Sequence, residues 1–261
     1  MESPKRAILL LTNHHLGSEF PLNILLTTSR IEITGVVVSP PAKGVAHTLK
    51  CIKKMGLLHT AMLFIQHGIK SLILKFNALR SQGSHIKYLT TIRKAALARK
   101  IPVLHVNDIN KEEVVNFIQG NRPDLLISAF YSQILSEHVL KIPVIGAVNI
   151  HPGDIEHYRG VMNYFWVIRN NERATAATVH WMDAGIDTGV IIARAPVPIG
   201  SKDTQFAVLR KTATQGAATL IQQIPNLKRC SSLHVQTQGR YYTIPGSSDF
   251  QVYIKSRRFF N

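Results

Sequence analysis

Residues 123–151, PDLLISAFYSQILSEHVLKIPVIGAVNIH, contain two short runs, Leu125–Ala129 and Ala147–Ile150, each apolar but for one residue. A strand with one face in water alternates apolar and polar side chains. Runs this nearly continuous belong to strands buried on both faces, the condition of a parallel sheet covered by helices. Upstream, Ala7–Thr12 (AILLLT), Ile33–Ser39 (ITGVVVS) and Ile101–Val106 (IPVLHV) have the same character, and Pro40-Pro41 stops the second of them. A helical stretch from Glu19 to about Thr28 follows the first run. Another, Lys111–Ile118, has Asn110 placed to cap it. Strands and helices alternate, so the fold class is α/β: a mostly parallel sheet with helices on both faces.

Ligands of open parallel sheets sit beyond the carboxyl ends of the strands. The loops Asn13–Ser18 and Phe130–Gln133, and the chain after Asn149, are therefore the places for a site. The sheet is Rossmann-like, but the first strand runs into Thr12-Asn-His-His-Leu-Gly-Ser18, without the G-x-G-x-x-G of a dinucleotide fold. His14-His15 has no acidic companion nearby, and no metal site is expected there. Downstream, Ala174–Met182 and Val190–Val197 read as strands, and Thr204–Ile224 as a helix broken by Pro225. Leu233–Tyr253 alternates like short strands around turns at Gln238-Gly239 and Pro245-Gly246. The expected organisation is an α/β domain over residues 1–225, with a helical insertion at about 43–84, and a small β-rich appendage over 226–261.

With 261 residues, 45% of them hydrophobic, and a mean hydropathy of +0.05, the chain can bury a core, which excludes global disorder. Its two cysteines, Cys51 and Cys230, support neither a disulfide framework nor a structural zinc site. The apolar run Ala7–Leu11 is too short for a signal peptide, and no stretch is long enough to span a membrane. The expectation is a cytoplasmic globular protein. Its formal charge of +16 is unevenly spread, because residues 33–107 hold Lys43, Lys50, Lys53, Lys54, Lys70, Lys75, Arg80, Lys87, Arg93, Lys94, Arg99 and Lys100 and no acidic residue. Such a block attracts polyanions: nucleic acid, anionic lipid or a phosphorylated substrate.

Within that block, Leu57–Leu79 carries apolar residues at helical spacing, at 57, 58, 61, 62, 65, 69, 72, 73, 76 and 79. A basic amphipathic helix of this kind lies in an anionic membrane surface, at the inner face of the membrane, or packs on its own domain or across a homodimer. A second helix, roughly Ile86–Lys100, returns the chain to the sheet.

The window Ala147–Pro198 is richest in chemistry. It opens VNIHPGDIEHYRG, residues 148–160. Asn149 and His151 are two apart on a strand, so they share a face. An amide can hold an oxyanion while an imidazole manages protons, although such a pair alone also serves to cap a strand end. After the strand ATAATVHWM, residues 174–182, comes Asp183-Ala-Gly-Ile-Asp187-Thr-Gly189. Asp187 can orient an imidazole; Asp183 is the rival, with a tendency to bond its own turn.

Together these motifs resemble the formyltransferases that use 10-formyltetrahydrofolate. The matching elements are Asn149-Ile-His151-Pro152, Tyr158-Arg159-Gly160, Thr178-Val-His180 and Ile186-Asp187-Thr-Gly189, with a looser frame in Pro123–Ser128 and Ser132–Leu135. The resemblance covers about residues 100–225. It implies that Asn149 donates to the formyl oxygen, His151 assists the attacking amine and Asp187 supports His151. It further implies a pterin site at Tyr131, Gln133, Ile134, Leu135, Asp183 and Ile186, and an acceptor site at His14, Tyr158, Arg159 and Gly160. This chain departs from the family in Gly153-Asp-Ile-Glu156-His, where a Ser and a Leu-Pro are usual. Asp154 and Glu156 therefore suggest an acceptor site of unusual chemistry.

The resemblance does not fix the acceptor. The tRNA enzymes of the family carry a substantial carboxy-terminal domain, whereas only residues 226–261 follow the last long helix here. The expected acceptor is an anionic amine, most simply a nucleotide- or lipid-linked amino sugar of surface-glycan or lipopolysaccharide assembly. A methionyl-tRNA formyltransferase-like enzyme, a formyl-donor hydrolase and a non-catalytic scaffold at a membrane surface are the alternatives.

Overall fold

A computed structural model of the chain describes residues 5–13, 15–40, 45–80, 96, 99–229 and 239–256. Arg6–Asn13 (β1) lies at the middle of the sheet, paired in parallel with Ile31–Ser39 (β2) and with Leu125–Ala129 (β4). Val103–His105 (β3) adds to the outer side of β2, and Gly146–His151 (β5) adds in parallel to β4. Ala174–Trp181 (β7) then pairs antiparallel with β5, and Ile191–Pro198 (β8) antiparallel with β7. The order β3-β2-β1-β4-β5-β7-β8 is the mostly parallel α/β sheet expected from the apolar runs.

Those runs divide by the two-residue period of a strand. Ile8, Leu10, Val36, Val38, Leu125 and Ile127 face a core closed by Glu19–Thr27 (α1), through Leu22, Leu25 and Leu26, and by Gln205–Gln223 (α7), through Ala217 and Leu220. Leu9, Leu11, Val37 and Leu126 face the opposite core, closed by Val114, Val115 and Ile118 of Glu112–Gly120 (α4) and Val139 of Glu137–Leu140 (α5). Neither face of these strands has room for water, which is why almost no polar residue interrupts them.

Several boundaries differ from the sequence reading. β3 shrinks to three residues because Pro102 cannot donate to the ladder, and only its carbonyl is used, by Val36 N at 2.9 Å. Asn110 does not cap α4; Lys111 occupies that position. The Asn110 side chain instead accepts from Ser136 N at 2.7 Å and donates to the Ile134 carbonyl at 3.1 Å, tying two loops at the sheet's carboxyl edge. The basic helix is present as Leu57–Arg80 (α3), and Val45–Met55 (α2) precedes it. Gly56 joins the two at φ +83°, a left-handed conformation that favours glycine, although a side chain there would meet open space. The crossover helix expected at 86–100 lies almost wholly outside the described residues.

Among the described residues of the appendage, Tyr241–Tyr242 (β9) is a strand, which pairs in parallel with Arg159–Gly160 (β6). Its last part is a helix, Ser247–Lys255 (α8), where alternation suggested strands. Asp249 accepts from Gly246 N at 3.0 Å and so caps the first turn. Phe250 and Tyr253, one turn apart, are fully buried against Phe165 of Asn163–Arg169 (α6). That packing overrides the local alternation. The same cluster takes in Cys51, Met55, Leu63, Tyr158 and Tyr164. It joins the root of the insertion to the loop that follows β5.

Candidate active site

Asn149 and His151 lie on one face of β5, and the antiparallel register sets Asn149 opposite His180 and His151 opposite Thr178 of β7. Thr178 Oγ1 donates to the Gly153 carbonyl at 2.7 Å and fixes the turn after His151. Asp187 comes from the loop between β7 and β8, at φ +53°. That left-handed conformation is one Asp and Asn tolerate better than most residues. One of its oxygens is 3.3 Å from His151 Nδ1 and 3.7 Å from His180 Nε2. The other accepts from the Gly160 amide at 2.9 Å. Gly160, at φ +92°, has no space for a side chain against the Tyr242 carbonyl, so the β6–β9 pairing and the support of Asp187 share one residue.

The hydrogen bonds fix the orientation of each polar group. His180 Nδ1 is 2.8 Å from the Trp181 carbonyl, which can only accept, so Nδ1 carries the proton and Nε2 presents a lone pair. Asn149 Nδ2 at 3.1 Å must then donate to it. The amide nitrogen of Asn149 is thus locked in place with its second hydrogen available, while the residue remains half-exposed. Burial lowers the pKa of His180; Asp187 opposes that and His151 adds to it, and the net shift is downward, keeping the ring neutral.

His151 is held from both sides. Asn163, at the start of α6, accepts from Tyr164 N at 2.8 Å through its oxygen, so its Nδ2 faces His151 Nε2 at 2.7 Å. A neutral ring with its proton on Nδ1, toward Asp187, satisfies both contacts. The Tyr158 carbonyl, 3.4 Å from Nε2, is a second acceptor in reserve. Burial pulls the His151 imidazole down, but Asp187 and the Tyr158 carbonyl outweigh it and the pKa lies above that of an ordinary histidine. Asp187 is also buried, which favours its neutral form; the two histidines and the Gly160 amide prevail and hold the carboxyl well below the usual range. Asn163 requires Gly153, since a side chain there would overlap the amide.

The remaining expected residues divide by what their polar groups already do. Asp183 accepts from Gly185 N and from Thr188 Oγ1, at 3.0 and 2.7 Å, and so serves its own loop. Gln133 is used at both ends, by Ile109 N at 2.7 Å and the Asn107 carbonyl at 3.0 Å. Leu135 is a core residue at 1% exposure, while Ile134 and Ile186 are exposed. Tyr131 packs with Met182 on one apolar cluster. Its hydroxyl is buried without a hydrogen-bond partner, a polar atom suited to a ligand group. Tyr158 is buried; its hydroxyl donates to Glu172 at 2.7 Å and its ring stacks on Tyr242, so its backbone rather than its side chain addresses the site. Arg159 lies in β6 beside Gly160, and His14 falls outside the described residues. Asp154 and Glu156, which the sequence associates with the acceptor site, both grip Arg194 of β8 and so clamp their loop to that strand.

Sequence reasoning gave no role to His180 or Asn163. His180 had a signal, since Thr178 and His180 alternate onto one strand face, but the register that sets it against Asn149 is a tertiary fact. Asn163 had none.

A profile of the formyl transferase family matches residues 77–224. The chain is 33% identical over 170 residues to a bifunctional polymyxin resistance protein ArnA of Wigglesworthia glossinidia brevipalpis, covering 65% of this chain and 25% of that protein. It is 39% identical over 137 residues to a methionyl-tRNA formyltransferase of Methylacidiphilum infernorum (isolate V4), covering 52% of this chain and 43% of that protein. The chain thus spans less than half the length of either relative. Among solved structures, a 4-N formyltransferase from Francisella tularensis superposes with a TM-score of 0.54 at 18% identity, over 96% of this chain and 87% of that one, a likeness of fold.

Proposed function

The chain belongs to the formyl transferase family, and on that premise we propose that it moves a formyl group from 10-formyltetrahydrofolate to the amine of a nucleotide- or lipid-linked amino sugar. The observation that carries this reading is the convergence of Asn149, His151 and Asp187, with the Asn149 N–H already fixed by His180.

The amine nitrogen attacks the formyl carbon, and the carbonyl oxygen becomes an oxyanion that receives the second N–H of Asn149. The nitrogen must shed a proton as the intermediate collapses. His151 takes it at Nε2 when Asn163 gives way, and the new N–H turns to the Tyr158 carbonyl while Asp187 stabilises the imidazolium. The carbon–N10 bond of the intermediate then breaks, the proton on His151 Nε2 passes to N10, and tetrahydrofolate leaves with His151 neutral again. The unpartnered Tyr131 hydroxyl and the exposed apolar side chains of Ile134 and Ile186 suit the donor's pterin.

An absorbance assay of tetrahydrofolate release, run with nucleotide-linked amino sugars, lipid-linked amino sugars and methionyl-tRNA, tests the reading. Turnover with an amino sugar is the expected result. Turnover with methionyl-tRNA alone transfers the basic residues of 33–107 to nucleic-acid binding and ends the amino-sugar assignment.

The role of Asn163 has its own signature. Only neutral His151 accepts the proton, so the acid limb of the rate follows its pKa. A carboxylate at 163 favours the imidazolium and raises that pKa. In Asn163→Asp the acid limb of kcat is therefore expected to move to higher pH. A uniform fall in rate with an unmoved limb would reduce Asn163 to a packing residue.

A further inference from the structure

We infer that α2 and α3 dock this protein on an anionic phospholipid bilayer and bring its active site to an amine carried by a lipid. The orientation of α3 is the first ground. Leu57, Leu58, Ala61, Phe64, Ile65, Gly68, Ile69 and Leu72 lie along one side of the helix, and Leu57, Leu58 and Leu72 are 69%, 70% and 68% exposed. Phe64, Ile65 and Ile69 are exposed as well. At 100° per residue this side spans an arc of roughly 140°. The buried positions Thr60 and Leu63 lie on the other side. The helix thus turns its narrow, partly polar face to the protein and its broad apolar face outward, the reverse of a helix that packs on its own domain.

Charge decides the occupant. Lys50 and Lys53 of α2 are exposed, the sequence of α3 adds Lys75 and Arg80 within or beside the same arc, and no acidic residue occurs between 33 and 107. A second copy would bring the same positive charge to the contact. An anionic bilayer offers apolar depth for the leucines and isoleucines and phosphate for the lysines. Among the described residues no helix is long and apolar enough to cross a membrane, so α3 lies along the surface.

The root of the insertion leads to the chemistry. Cys51 and Met55 of α2 and Leu63 of α3 share a core with Tyr158 and Tyr164. The Tyr158 carbonyl faces His151, and Tyr164 N orients the Asn163 amide that also meets it. His59 stacks on Phe250, and Lys54 Nζ donates to Thr243 Oγ1 at 2.7 Å. The docking helices thus share a core with the residues that contact the catalytic histidine.

The choice of a lipid-carried acceptor rests on the proposed formyl transfer, while the docking does not. Sedimentation of the full chain with vesicles of phosphatidylcholine, and of phosphatidylcholine mixed equally with phosphatidylglycerol, tests docking without any substrate. Binding to the anionic vesicles at low salt is expected. A Leu58→Glu/Ile65→Glu variant, changed only at exposed positions, should retain its thermal melt and lose at least ~10-fold in binding. Lys50→Ala/Lys53→Ala should lose roughly fivefold per lysine on anionic vesicles only. No binding at low salt overturns the inference, as does a Leu58→Glu/Ile65→Glu variant that binds like the wild type. A dimer split by that variant gives the stripe to a second copy, and RNA held through the lysines with vesicles ignored gives it to nucleic acid; either result also overturns it. Vesicle binding without transfer to any acceptor would leave docking standing and remove the formyl-transfer reading. With both intact, the variant should lose transfer to a lipid-linked amine in vesicles and keep transfer to a soluble one.

Discussion

Asp187→Asn is expected to lower kcat by ~10²–10⁴, the range over which positioned acid–base groups act. The substitution suits the question because it keeps the shape of the side chain and the support of the loop. Asn accepts the left-handed φ of +53° that position 187 requires. Its oxygen can still accept from the Gly160 amide, now 2.9 Å from the carboxylate. What disappears is the negative charge 3.3 Å from His151 Nδ1, and the atom facing that nitrogen becomes an N–H donor, which drives the ring proton to Nε2. That charge raises the His151 pKa against the pull of burial. Without it the imidazolium formed during the reaction loses its counter-charge. The acid limb of the rate should then move to lower pH while the plateau falls, opposite in direction to Asn163→Asp. Stability carries a second signature. A carboxyl whose folded pKa is depressed contributes stability that is present above its unfolded pKa and lost as pH falls through the folded value. Asp187 is such a group, so acid should destabilise the wild type more steeply than Asp187→Asn. Steady-state kinetics and denaturant melts across pH read both effects. A variant within about threefold of wild-type kcat, far from the ~10²–10⁴ of an acid–base partner, ends the assignment of Asp187 to the reaction.

The sequence made the sheet legible because burial on two faces leaves a mark in composition: Leu9 and Leu10 both had to be apolar, whichever core each one meets. Spacing of two along β5 put Asn149 and His151 on one face. By contrast, β7 runs antiparallel and ends beside Val148, so the approach of the Asp187 loop to His151 was a tertiary fact. Contacts that depend on register or on a turn between distant segments left no such mark. His180 meets Asn149 only through the β5–β7 pairing, and Asn163 reaches His151 only because Gly153 leaves space for its amide. The pairing of Asp154 and Glu156 with Arg194 was hidden for the same reason, since nothing local announces that Arg194 lies across from them. The helix α8 was concealed by a residue pattern that serves two periods at once. Phe250 and Tyr253 fit one helical turn, and packing on Phe165 chose between the periods. In each case the missing information was a partner far away along the chain.

Asn149→Ala is expected to cost ~100- to 1000-fold in kcat, the usual loss when one oxyanion donor is removed. The loss should fall on kcat with little change in KM, because the N–H matters when charge develops on the formyl oxygen and not while the carbonyl is neutral. Asn149→Asp separates this from mere loss of shape. A carboxylate at 149 fills the same volume but presents lone pairs both to the reacting oxygen and to His180 Nε2, which is itself an acceptor because the Trp181 carbonyl holds the ring proton on Nδ1. That carboxylate would be repelled on both sides, and the activity of Asn149→Asp should lie below that of the alanine variant. A purely steric role for Asn149 predicts the reverse order, with the isosteric change the milder one. His180→Phe completes the comparison: the amide remains but loses the acceptor 3.1 Å away that fixes its orientation. With its nitrogen and oxygen free to exchange places, the donor faces the oxyanion only part of the time. A loss smaller than that of Asn149→Ala, and absent when Asn149 is already alanine, is the result that marks His180 as the residue that aims the donor.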